Sequence, residues 1–249
     1  MKKYWLIFSQ SFSQFTAFRL QILLQIFQNS LPAIITLIVL SYAKSTVISV
    51  QSLISYYLLV TATAPLAFSN IDEYIDEITF SGEVNNFLTK PISLFRMLMV
   101  KSFSEKAITF LFVFPIFLAI LFFLQTNIIN LIWFPLTILL SFSISYTFSF
   151  IVGLGCFWLD EFWSIRNVKF VMIQLLGGLI LPYSIFPEWL LRLVNLTPFP
   201  YLVSWPGRAL QSGVTFLQIS QAIIWLIILL ILCRMVQNQA IRHYSHTGS

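Results

Sequence analysis

Three amides, Gln21, Gln25 and Gln28, recur at i, i+4 and i+7 in the first apolar stretch of the chain, one turn before Pro32. On a helix they share one face. In hydrocarbon they either glue neighbouring helices together, at about 0.6 kcal/mol each, or form a hydrophilic wall along a translocation path. The second reading makes them candidate path residues. Other chemistries are poorly represented. All nine Asp and Glu residues fall in segments read as loops, so a proton- or sodium-coupled carrier would lack the ionisable midplane group it usually needs. No Gly-x-x-x-x-Gly-Lys-Ser/Thr loop exists for ATP hydrolysis. His243 and His246 sit in the C-terminal tail, and Cys156 and Cys233 lie in apolar stretches. Neither an intramembrane protease nor a metal site is expected, and a disulfide is not favoured. What remains is a non-enzymatic pore or clamp whose energy comes from another polypeptide.

The elements that must position these residues follow from composition. Of 249 residues, 58% are apolar and 9% are charged, against about 25% charged in a soluble domain. The bilayer is the remaining solvent, which excludes soluble enzymes and nucleic-acid modules. Apolar stretches at 20–42, 52–69, 107–124, 130–158, 170–186 and 219–236 predict an all-α membrane protein with six transmembrane helices. Before them, Trp5, Phe8, Phe12 and Phe15 share a helical face opposite Gln10, Ser13 and Gln14, which predicts an interfacial amphipathic helix over 1–18. Ser141, Ser143, Ser145, Thr147 and Ser149 alternate at spacing two in the fourth span. That spacing scatters them around a helix and favours packing and bonds back to their own backbone. Gly153, Gly155, Gly177 and Gly178 read as close helix contacts.

Eleven of the fourteen cations, among them Lys2, Arg19, Lys90, Lys106, Arg166, Lys169 and Arg242, fall on one side of these spans; Lys44, Arg192 and Arg208 fall on the other. The positive-inside rule then places both termini in the cytoplasm. The chain reads as one transmembrane domain, 1–249, with two long connecting segments. The cytoplasmic one, 72–106, holds Asp72, Glu73, Asp76 and Glu77 around an Ile71, Ile75, Ile78 stripe, and then Gly82 and Pro91. A helical stretch from Leu94 leads into the third span. The outer one, 187–218, is rich in proline and aromatics. Short segments clamped between two spans suit the transmission of a push from a soluble partner.

This order of elements resembles the permease subunit of type-2 ABC exporters. The Ile-Asp-Glu run followed by SGEVNNFLTKPIS, from Ser81 to Ser93, is similar to the pattern of a bacterial, viologen-exporter-like branch, as is GGLILPYSIFPEWL, from Gly177 to Leu190. Thr89-Lys90-Pro91 departs from it, with Lys where an Arg is expected before the proline; the charge is kept and the planar fork lost. The resemblance implies a permease in the bacterial plasma membrane that exports an amphipathic or lipid-like cargo. Two ATP-binding subunits, which bind the ATP and Mg, would drive it, and a second permease, identical or homologous, would pair with it; no nucleic acid is involved and no cofactor is bound by this chain itself. With the loop position, it makes Gly82, Glu83, Leu88, Lys90 and Pro91 the contacts to the ATP-binding subunit. A secondary carrier and a membrane-embedded assembly factor stand as alternatives.

Overall fold

The computed structural model describes residues 34, 35, 38, 50–84, 93–125, 127–159 and 162–247. The interfacial helix expected over 1–18 lies outside the described residues, as does nearly all of the first expected span, 20–42. The described chain is helical, with no strand among the described residues. Helix α1 (Val50–Ala67) is followed after a short break by α2 (Ile71–Phe80), α3 (Leu94–Leu124), α4 (Ile128–Gly153), α5 (Phe162–Leu176), the short helices α6 (Glu188–Asn195), α7 (Phe199–Leu202) and α8 (Trp205–Ser212), and α9 (Phe216–Thr247). Among the described residues, four stretches are long and apolar enough to cross a membrane: Val50–Phe80, Leu94–Leu124, Ile129–Phe157 and Phe216–His243. They contain the expected spans 52–69, 107–124 and 219–236 and nearly all of 130–158, and α3 starts at Leu94 as the sequence predicts. The expected fifth span, 170–186, is not one helix. α5 stops at Leu176 because Gly178 takes a left-handed φ of +77° that ends a helix, and Pro182 then begins a single 3-10 turn over Tyr183–Ile185.

α4 is the spine of the molecule. One side of it packs Tyr146 and Phe150, with Leu154 just past its end, against Ile71, Ile75 and Ile78 of α2 and Leu98 of α3. Phe95 sets its ring edge-on to both Tyr146 and Phe150, with centroids 5.1 Å apart in each case, and the Tyr146 hydroxyl donates to the Phe95 carbonyl at 2.7 Å. Ile144 joins a second cluster with Ala64, Phe68, Ile173, Trp205 and Leu229. Two glycines set how closely the backbones approach. A Cβ on Gly207 would stand 2.7 Å from Val60 Cα, and one on Gly153 would stand 2.8 Å from Asp72 Cα. Gly153 therefore does make the close helix contact expected of it. Gly178 instead shapes a turn, and Gly155 makes only ordinary contact, 3.4 Å, with Phe162.

α3 and α9 turn large apolar side chains outward, including Leu111, Ile116, Phe122, Ile224 and Ile231. In water so continuous a surface would aggregate; in a bilayer it meets acyl chains, and the helices satisfy their own backbone groups. Cations on α3 are captured by its neighbours. Lys106 Nζ donates to the Pro65 carbonyl near the end of α1 at 2.9 Å, and Lys101 Nζ lies 2.9 Å from the centre of the Tyr74 ring on α2, a cation–π contact.

Candidate functional site

α2 carries Asp72 and Glu73 in its first turn, where carboxylates complement the positive end of the helix. Its isoleucine stripe is buried as expected, but the four acids do not share one environment. Glu73 and Glu77 are exposed and Asp76 is half-buried. Asp72 shares a face with Ile75 and Thr79 and points inward. Its Oδ1 lies 2.6 Å from Lys169 Nζ on α5, with side-chain exposures of 0% and 3%. One turn earlier on α5, Arg166 stands 3.8 Å from Glu73 and 3.9 Å from Asp76. α5 thus lays two cations, spaced i and i+3, along the acids of α2. The expectation that every carboxylate sits in a loop is corrected here: Asp72 is a buried helical residue, because the break between α1 and α2 turns the acidic run back onto the bundle.

That break is held by serines of α4. The Ser69 amide donates to Ser145 Oγ at 3.0 Å, Ser149 Oγ donates to the Ser69 carbonyl at 2.7 Å, and Lys169 Nζ reaches Ser149 Oγ at 3.4 Å. The alternating row on α4 therefore splits in two. Ser141, Ser145 and Ser149, at i, i+4 and i+8, form one fully buried polar face. Ser143 and Thr147 donate to the backbone carbonyls of Leu139 and Ser143, both at 2.7 Å, as the spacing-two reading predicts. Asp72, Lys169, Ser145 and Ser149 were missed as a unit. The signal was present in the i, i+3 placement of Asp72 on the isoleucine stripe and in the matching spacing of Arg166 and Lys169.

At its other end α2 runs into a turn in which the Ser81 amide donates to the Glu77 carbonyl at 3.0 Å and the Gly82 amide to that of Thr79 at 3.2 Å. Gly82 has φ +74°, and a Cβ added there meets nothing within 4 Å. Among the described residues, only the backbone angle and no neighbour asks for glycine. Gly82 and Glu83 are exposed, Phe80 is 89% exposed, and Val84 is buried and anchors the turn. Phe80 is a further surface residue that the sequence reading did not single out. Leu88, Lys90 and Pro91 lie outside the described residues, and so do Gln21, Gln25 and Gln28.

A second polar region surrounds the 177–186 turn. Tyr56 donates to the Gly178 carbonyl at 2.5 Å, Tyr57 to that of Ile180 at 2.6 Å, and Tyr183 to that of Leu176 at 2.6 Å. Arg208 Nη2 donates to the Pro200 carbonyl at 2.7 Å, and its guanidinium lies 4.5 Å from the centre of the Tyr183 ring. Burial pushes the Tyr201 phenol above its ordinary pKa while Arg208 pulls the other way.

Residues 45–248 match the family model described as ABC-2 family transporter protein. No curated protein matches the chain.

Proposed function

The chain belongs to the ABC-2 transporter family, and from that premise we propose that it is the transmembrane subunit of an ATP-driven exporter. In this reading it spans the bacterial plasma membrane six times, with α5 and the turn after it as the fifth crossing, residues 20–42 as the first and both termini in the cytoplasm. It has no catalytic activity and pairs with a second permease, identical or homologous. It is driven by two ATP-binding subunits that carry the ATP and Mg, and its cargo is amphipathic or lipid-like. The viologen-exporter-like branch is the closer placement, on the Ser81 to Ser93 and Gly177 to Leu190 patterns.

The observation that carries the reading is the construction of α2. One of its ends exposes Phe80, Gly82 and Glu83; its other end is tied through Asp72 to Lys169 of α5. A push on the exposed turn would reach α5 through one rigid helix and one buried ion pair. A proton-coupled carrier is less well supported, because Asp72, the one fully buried carboxylate among the described residues, is already neutralised by Lys169.

The complex purified from native membranes in mild detergent is expected to contain an ATP-binding subunit, and removal of that subunit should abolish transport. A chain that purifies alone and transports without ATP would refute the proposal. The orientation has its own check. In a background lacking Cys156 and Cys233, a cysteine at Gln211, which is exposed, is expected to react with an impermeant thiol reagent on intact cells. A cysteine at Glu77, also exposed, should react only after permeabilisation. Labelling of both positions from outside, or the reverse pattern, overturns the assignment of sides.

A further inference from the structure

The polar region around Arg208 encloses a cavity of about 190 Å³, lined among others by Tyr56, Tyr183, Ser184, Trp205, Arg208 and Gln211. It lies at the level of Tyr56 on α1, eleven residues or about 16 Å of helix rise before that helix ends at Ala67, and none of its lining residues belongs to α2. Three features define what would fill it. First, Arg208 forms no ion pair among the described residues, whose four ion-pair contacts all involve Arg166, Lys169 or Arg192. Second, the nearby Tyr201 hydroxyl donates to Gln221 Oε1 at 2.6 Å, so its hydrogen is committed elsewhere and it brings no counter-charge. A guanidinium is always protonated, so this end of the bundle holds an uncompensated positive charge.

Third, the hydrogen-bond accounts of the lining residues are unbalanced in one direction. The hydroxyls of Tyr56 and Tyr183 donate to backbone carbonyls, and the Gln211 amide donates to the Ser52 carbonyl and to Ser55 Oγ, both at 3.1 Å. Arg208 Nε and Trp205 Nε1, in contrast, are buried with no partner. Both are N–H donors. Buried donors without partners call for an explanation; they lie behind the cavity wall and leave the Arg208 charge unopposed from that side, so an acceptor bearing negative charge in the cavity answers the charge. The cavity is smaller than the about 300–1,000 Å³ of sites for drug-sized ligands, which suits a headgroup rather than a whole lipid or a peptide. One guanidinium matches one negative charge.

We propose that this cavity binds a monoanionic phosphodiester, held by Arg208 with the Ser184 hydroxyl at its rim. The site stands whether or not the bound group is cargo, since the test reads binding and not transport.

The full chain purified in detergent is titrated with three probes: short-chain phosphatidylglycerol, its deacylated headgroup glycerophosphoglycerol, and a diacylglycerol of the same chain length. Saturable binding of the phospholipid is expected, with none of the diacylglycerol. If the headgroup alone binds as tightly, a soluble phosphodiester suffices as the source; if only the phospholipid binds, the source is the leaflet. Both results support the site. Arg208→Gln should weaken binding about tenfold or more, the loss of one charge-assisted hydrogen bond, and Arg208→Lys should weaken it less. Because Arg208 also holds the Pro200 carbonyl, Ser184→Trp provides a second variant: Ser184 is exposed at the rim, so the substitution blocks the cavity and leaves Arg208 untouched. Binding of diacylglycerol equal to that of the phospholipid, unchanged affinity in Ser184→Trp, or no saturable binding of either phosphodiester overturns the proposal.

Discussion

Replacing Lys169 with methionine is expected to destabilise the protein by about 3–5 kcal/mol, because it strands the Asp72 carboxylate in a site where a lone charge is strongly disfavoured. Asp72 and Lys169 are 2.6 Å apart and almost wholly withdrawn from solvent, so neither can be rehydrated by a small rotation. The pair is itself an expensive arrangement: Asp72 Oδ2 has no hydrogen-bond partner, so part of the desolvation cost is not recovered. Asp72→Leu combined with Lys169→Met should therefore regain most of the stability that Lys169→Met alone removes. Thermal unfolding of the wild type, the two single variants and the double variant in one detergent gives the interaction energy directly. An interaction energy near zero would mean that the two groups do not depend on each other, and the mechanical link between α2 and α5 would fail with it. Transport by the double variant adds a separate reading: a stable protein that no longer exports shows that the ionic contact, and not only the packing, transmits motion.

How much of this was legible in advance depended on which physical signal each element carried. Spans such as 107–124 stand out because that part of α3 is apolar around its whole circumference, and length and hydropathy alone decide such a helix. The fifth segment failed on that same criterion. Residues 170–186 are apolar enough, but Gly178 at φ +77° and Pro182 impose a backbone that no hydropathy window sees. The buried ion pair was hidden for a different reason. Asp72 belongs to an acidic run that reads as a solvated surface, and only the three-dimensional return of α2 onto α4, permitted by Gly153 lying against Asp72 Cα, turns one acid of the four inward. Ser141, Ser145 and Ser149 were read along the chain at spacing two, whereas the helix sorts them at spacing four. Arg208 was counted only as one of three cations on the sparse side of the membrane; its missing counter-ion is a property of the fold around Tyr56 and Trp205, and local sequence contains no trace of it.

Substitutions at Gly82 are expected to lower ATP-driven transport in order of side-chain size, with insertion and folding preserved. Two mechanisms could make this glycine necessary, and they predict different orders. If only the left-handed backbone matters, Ala should be harmful, at about 1–2 kcal/mol of local strain, while Asn, which tolerates that conformation, should be nearly silent. If the turn presses against an ATP-binding subunit, the empty space around the missing Cβ is where the partner sits, and loss should rise from Ala through Asn to Trp. Among the described residues nothing stands within 4 Å of a Cβ at that position, so a substitution there strains the backbone angle of one residue and displaces no described neighbour. The proposal therefore expects Gly82→Trp to lower transport about tenfold or more, ~1.4 kcal/mol of coupling, while the melting temperature falls only by what one strained residue costs. Glu83→Lys, beside it and equally exposed, reverses a charge without strain and should impair coupling in the same assay. ATPase stimulation by cargo, measured alongside transport in reconstituted vesicles, separates an uncoupled complex from one that never assembled. Native rates in Gly82→Trp and Glu83→Lys, or an order in which Ala is worse than Asn, would move the contact elsewhere on α2, with exposed Phe80 and the Glu73 and Glu77 face next in line.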